Sequence, residues 1–117
     1  MLNTQASIVR LQKSINIEVY PNDLGTPTTY LTTVKAVEAL GDGWRIPTKE
    51  ELLLIYENKD KISGFGGKEV GCHDWYWSST EQHENSSLVW NIRLSDGREG
   101  WNFNSNTWLN CRPVRSI

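Results

Sequence analysis

Cys72, His73, His83 and Cys111 are the side chains of this sequence that could bind a transition metal, and Glu50 and Glu51 are adjacent carboxylates of the kind used in acid–base chemistry. Neither set has the pattern its chemistry needs. Structural zinc sites draw their ligands as short-spaced pairs, about two to four residues apart, and these four are not so arranged. Glu50 and Glu51 fall within Thr48-Lys49-Glu50-Glu51, a Thr-x-x-Glu capping box in which hydroxyl and carboxylate each satisfy an orphan backbone N–H. Their charge suits the positive end of a helix, so a structural role accounts for them without a catalytic pair. The expectation is a chain without catalytic residues, metal ligands or cofactor. Cys72 and Cys111 are expected as free thiols, because a lone pair of cysteines without an export signal is weak evidence for a disulfide.

The other group with chemical potential is aromatic and amide. Six Trp occur in 117 residues, at 44, 75, 77, 90, 101 and 108, and five of them fall at or after position 75. A core of this size buries only a few indoles, each of which wants a partner for its ring N–H, so at least one is expected to remain partly exposed. Asn91, Asn102, Asn104, Asn106 and Asn110 crowd the same third of the chain. An exposed indole beside amides suits a sugar ring, whose apolar face stacks while its hydroxyls are hydrogen-bonded, and it suits a protein epitope equally well.

The length implies one domain with one core. A net charge of −2 with acids and bases interspersed provides no basic field for nucleic acid or an anionic membrane. No apolar run is long enough to span a bilayer, and Met1-Leu2-Asn3-Thr4-Gln5 does not open a signal peptide.

The elements that must position these residues follow from periodicity. Residues 1–14 fit an N-terminal arm or edge element, and residues 15–117 the domain proper. Ser14-Ile15-Asn16-Ile17-Glu18-Val19-Tyr20 alternates as a half-buried strand and ends in turn chemistry at Pro21-Asn22-Asp23. Thr29 caps a helix over residues 30–40 that places Tyr30, Val34, Val37 and Leu40 on one face before Gly41-Asp42-Gly43 stops it. The capping box opens a second helix through Leu52-Leu53-Leu54-Ile55-Tyr56. Residues 57–74 read as a loop, in which Gly64-Phe65-Gly66-Gly67 serves a turn. Strands follow at 75–79, 87–95, 98–104 and 108–115, with Asp96-Gly97 as a tight-hairpin signal. This order predicts an α+β fold, with two helices on one side of a twisted antiparallel sheet.

Three segments resemble one family: Gly43-Trp44-Arg45-Ile46-Pro47-Thr48-Lys49-Glu50-Glu51-Leu52, Tyr76-Trp77-Ser78-Ser79-Thr80-Glu81, and Cys111-Arg112-Pro113-Val114-Arg115. It is the bacterial and phage family named after the C-terminal domain of a Legionella collagen-like adhesin. The resemblance covers roughly residues 15–117 and implies a C-type-lectin-like fold that binds ligands from one side. Similar sequences occur in adhesins, phage tail or virion proteins, and variable proteins whose Asn-codon positions near the C terminus are diversified. Localisation to a phage virion or bacterial surface is therefore implied. The implied partner is a glycan or protein receptor, with no nucleic acid and no membrane insertion. The rival readings are a structural or assembly domain in a homo-oligomer, and an enzyme. Formylglycine-generating enzymes share the broad fold but are far longer and need a cysteine pair in a cleft. The calcium-dependent sugar motif of animal lectins is not visible, since no Asp follows Trp90-Asn91-Ile92.

Alternation then sorts core from surface. Trp44 and Trp77 are expected as packed indoles, and Arg45 and Arg115 as partners for carboxylate or backbone. Leu88, Trp90, Ile92 and Leu94 share one face, which puts Asn91 and Arg93 outward. Trp101 and Phe103 oppose Asn102 and Asn104, and both sets stay candidates. In the last strand Leu109 and Cys111 suit the inside, so Trp108 and Asn110 are expected outside. The expected ligand-binding set is Asn91, Arg93, Trp101, Asn102, Asn104, Asn106, Trp108 and Asn110.

Overall fold

Two threonines open the two helices. In the computed structural model, which describes residues 8–12, 16–62 and 74–117, the Thr29 hydroxyl accepts from the Thr32 amide at 3.3 Å and caps α1, Tyr30–Glu38. The chain then turns at Gly41, Asp42 and Gly43, all in the left-handed region with φ of 68°, 55° and 83°, a conformation glycine adopts freely and aspartate tolerates. At α2, Lys49–Glu57, the capping box is complete. The Thr48 hydroxyl accepts from the Glu51 amide at 3.2 Å, and the Glu51 carboxylate accepts from the Thr48 amide at 2.8 Å. That carboxylate also receives both prongs of the Arg45 guanidinium, at 2.6 and 2.7 Å. Burial works to raise the Glu51 pKa, but the Arg45 fork and the Thr48 amide outweigh it and hold the group below its ordinary 4.5.

The described strands form two antiparallel sheets. β1 (Val9–Gln12), β2 (Asn16–Val19) and β6 (Val114–Ser116) make one, in the order β1-β2-β6. β3 (Trp75–Glu81), β4 (Leu88–Arg93) and β5 (Glu99–Phe103) make the other, in chain order. The α+β class and the antiparallel pairing are as expected, although the strands divide between two sheets. The last strand is also shorter than residues 108–115. Only Val114–Ser116 joins a ladder, while the chain before it is pinned by single bridges, Thr28 to Leu109 and Tyr76 to Asn110. Pro113 has no amide hydrogen to donate to a ladder, which shortens the strand from that side.

Register shows how the core is divided. In β4 the side chains of Trp90 and Ile92 join Tyr76, α2 residues Leu52 and Ile55, and Ile17, Val19 and Val114 of the first sheet. Val89, on the opposite face of β4, joins Trp77, Leu109, Cys111 and Val37 of α1. The sheet β3-β4-β5 is thus covered on both faces, with α2 and the first sheet on one side and α1 with residues 109–111 on the other. This corrects the expectation that both helices lie on one side. The helices have separate apolar stripes, and each finds a different face of the sheet. Cys111 is a free, buried thiol whose pKa burial pushes far up. Cys72 and the Gly64–Gly67 turn lie outside the described residues.

The closing segment is held by a fully buried cation. Arg112 donates from Nε and Nη2 to one Asp23 oxygen, at 3.2 and 3.0 Å, and from Nη1 to the Tyr20 carbonyl at 3.3 Å. Tyr76 donates its hydroxyl to the other Asp23 oxygen at 2.7 Å. Arg115 donates to Glu18 at 2.6 Å and lies 4.3 Å over the Trp44 ring. The two family arginines, 45 and 115, are therefore carboxylate partners as expected.

Removing one member of a buried ion pair leaves the other charge uncompensated, so Arg112→Met is expected to cost about 3–5 kcal/mol. Urea denaturation measures it, and a loss under about 1 kcal/mol would contradict the role given to Arg112. Glu51 gives a pH signature. Its folded pKa lies below the unfolded one, so its contribution is complete above about pH 4.5 and is lost as pH falls toward the folded value. The melting temperature should fall between about pH 5 and 3, and Glu51→Gln should make that slope shallower. Equal slopes in the two proteins would refute it.

Candidate functional site

The β4–β5 hairpin carries most of the expected site. Its register sets Trp90 opposite Trp101, Asn91 opposite Gly100, Val89 opposite Asn102, and Leu88 opposite Phe103. β5 is an edge strand of its sheet, so its side chains are covered from fewer directions. At the hairpin end, residues 94–98 connect the strands, a wider turn than a two-residue hairpin. Gly97 is required there twice over. Its φ is 80°, and a Cβ would stand 2.7 Å from the Tyr56 ring of α2.

Trp101 and Phe103 project from one face of β5 and are 40% and 50% exposed. On this face Trp90 lies inward of them at 1% exposure, its indole N–H donating to Glu99 at 3.0 Å and the Lys49 ammonium lying 5.3 Å from its ring centre. The Trp101–Phe103 set thus forms the outer margin of an aromatic surface whose inner part is core. Trp108 is the most exposed large apolar side chain among the described residues, at 62%, directly before the buried Leu109. The expected outward position of Trp108 is what the structure shows.

The amides are distributed differently from the expectation. Asn91 is completely buried, because its face of the sheet is covered. Its side-chain NH2 donates to the Val89 carbonyl at 3.2 Å and to the Asn102 amide oxygen at 2.7 Å. Its own amide oxygen has no hydrogen-bond partner among the described residues and faces Gly100, where a Cβ would stand 3.1 Å away. Asn110 is 5% exposed, and its backbone exchanges bonds with Trp75 and Trp77 at 3.0 and 2.9 Å. In that pairing Asn110 shares the Tyr76 side of the sheet while Leu109 and Cys111 take the other, so both directions are interior. Asn91 and Asn110 are therefore removed from the contact set for the same reason: alternation distinguishes inside from outside only when one face is wet.

Arg93 is half-buried and committed within the fold. It donates to both carboxylate oxygens of Asp96, lies 5.7 Å over the Trp75 ring, and approaches the buried Asp74 to 3.9 Å. The pair holds the Asp96 carboxyl far below the usual carboxylate range. Asn102 and Asn104 are half-buried. The Asn104 carbonyl accepts from the Leu31 amide at 3.2 Å, which brings the exposed Leu31 beside this edge. Asn106 is exposed on the loop that leads to Trp108.

The outward set is thus Trp101, Phe103, Asn106 and Trp108, with Asn102 and Asn104 partly reachable. Phe103, Leu31 and Lys49 are absent from the expected site. Alternation does pair Phe103 with Trp101, but Leu31 and Lys49 join only through tertiary contact. Among the described residues no group of three His, Cys, Asp or Glu side chains could hold a metal, and no helix is long and apolar enough to cross a membrane.

The fold and this edge define an α+β domain with exposed aromatic side chains beside amides on a hairpin and the loop after it. The chain belongs to the Lcl C-terminal domain family, whose model matches residues 6–115. Membership accords with the three segments that carry the resemblance and with an adhesin-like surface domain. No curated protein matches the chain.

The buried Asn91 amide fixes Asn102. Asn91→Ala is expected to cost roughly 1–3 kcal/mol by stripping a partner from Asn102 and leaving a gap, whereas Asn106→Ala should stay within about 0.5 kcal/mol. Parallel denaturation of the two variants checks this, and equal stability would place Asn91 outside the core.

Proposed function

We propose that this domain is a non-catalytic, C-type-lectin-like binding module that recognises a glycan or protein receptor at a cell surface, as a component of an adhesin or a phage particle. The observation that carries the reading is the exposure of Trp101, Phe103 and Trp108 in a chain that buries Trp77 and Trp90 almost completely. Exposed indole and phenyl rings beside amides suit the stacking and hydrogen bonding of sugar recognition and the anchors of a protein epitope. Family membership supports a surface role. Arg45, Glu51, Arg93 and Arg112 are tied into structural pairs, which leaves recognition to aromatic and amide groups.

One observation favours a second reading. β5 is an edge strand carrying two exposed aromatic side chains, a surface that a second copy could cover in an assembly. Light scattering distinguishes the two, since a stable oligomer that hides these rings leaves none for a receptor.

The test is a glycan array supplemented with mucin and heparin, followed by Trp101→Ala and Trp108→Ala on whatever binds. Each variant should lose about 2 kcal/mol of affinity, near 30-fold in Kd, with an unchanged melting temperature. Normal binding by both folded variants would move the site elsewhere.

A further inference from the structure

Apart from the aromatic edge, the molecule has an open pocket of about 450 Å³ between α1 and residues 44–48, within the roughly 300–1,000 Å³ typical of small-molecule sites. Tyr30, Val34 and Val37 of α1 form one wall, and Trp44 and Ile46 the other. None of its lining residues belongs to the exposed set on β5 and its following loop.

The polar groups around it are unequal in their freedom. Arg45 is neutralised by the Glu51 fork, and the Thr48 hydroxyl accepts the Glu51 amide. Glu38 lines the pocket and is exposed, without an ion-pair partner among the described residues. Glu81 lies two residues beyond the lining Ser79 on β3, and among the described residues it too is unpaired and exposed. The pocket therefore combines apolar and aromatic walls with a carboxylate rim; Arg115, which already covers one face of the Trp44 ring, is paired with Glu18 and leaves Tyr30 as the open aromatic surface. Aromatic faces and carboxylates both attract a weakly hydrated organic cation, and both disfavour an anion of the same shape.

We infer that the pocket between α1 and residues 44–48 is a binding site for a small organic cation, an ammonium group carried on an apolar body. The apolar body fills the space against Val34, Val37 and Ile46, and the ammonium sits toward Tyr30, Glu38 and Glu81. Arg45 does not oppose the cation, because its charge is held by Glu51.

The experiment follows the methyl resonances of Val34, Val37 and Ile46 by NMR during titration with three soluble probes of similar shape: benzyltrimethylammonium, benzyl alcohol and phenylacetate. Saturable shifts are expected with benzyltrimethylammonium, about tenfold weaker binding with benzyl alcohol, and weaker again with phenylacetate. Val34→Trp, which fills the pocket, should abolish the shifts at Val37 and Ile46. The double variant Glu38→Gln with Glu81→Gln should reduce the preference for the cation over the alcohol to about twofold or less, and it keeps the test decisive should Val34→Trp fail to fold. Trp108→Ala should bind the cation normally, which separates this site from the aromatic edge. The inference is overturned by the absence of saturable shifts up to about 10 mM cation, by tighter binding of phenylacetate, or by a cation preference that survives loss of both carboxylates.

Discussion

The buried pairing of Arg112 with Asp23 is the constraint on which the rest of this structure depends. It joins residues 89 positions apart and places a charge at zero exposure, where the Asp23 carboxylate and the bond to the Tyr20 carbonyl make it tolerable. Asp23 also receives the Tyr76 hydroxyl, so one carboxylate connects the turn after β2, the strand β3 and the closing segment. Once that segment is fixed, Leu109 and Cys111 lie against Trp77, and Val114 reaches both β2 and Arg45. Arg45 in turn holds the first turn of α2 through Glu51. Helix placement, sheet closure and core division thus follow from one ion pair and the short ladder beside it.

Local chemistry is readable wherever it is settled within a few residues. The Thr29 cap, the Thr48–Glu51 box, the turn at 41–43 and the packing of Trp77 and Trp90 all come from patterns shorter than two helical turns. The candidate site is readable in its aromatic half, because Trp108 alternates against a small apolar neighbour at Cys111. It is misread at Asn91 and Asn110, since strand alternation carries no information on whether a second layer covers the polar face. Over Asn91 that layer is made by α1 and by residues 109–111 of the last segment, both remote in sequence from it, while Asn110 lies on the Tyr76 side of the same sheet. The overlong last strand has a related cause: residues 108–113 have strand composition, yet their backbone meets its neighbours through single bridges and ends at a proline.

The division of labour between paired and unpaired side chains organises the surface. Arginines are drawn into carboxylates, with Glu18 receiving both Arg10 and Arg115 and lowered in pKa by them, Arg115 foremost. The rings exposed on β5 and at Trp108 are themselves uncharged, and recognition through them would depend on shape and hydrogen bonding more than on salt. The pocket beside α1 differs, because its carboxylates have no cation of their own among the described residues.

The first sheet has a consequence for mechanics. β1 and β6 both run antiparallel to the central β2, so they are parallel to each other; the start of β1 at Val9 and the end of β6 at Ser116 lie at opposite ends of the sheet. Tension drawn through those two points acts along the strands and across every ladder bond at once, in shear. The bonds cannot break in succession as in a zipper, and the Arg115–Glu18–Arg10 chain of side chains crosses the same three strands. A domain tethered this way would hold its shape under traction while the aromatic edge, on the other sheet, stayed outside the path of the force.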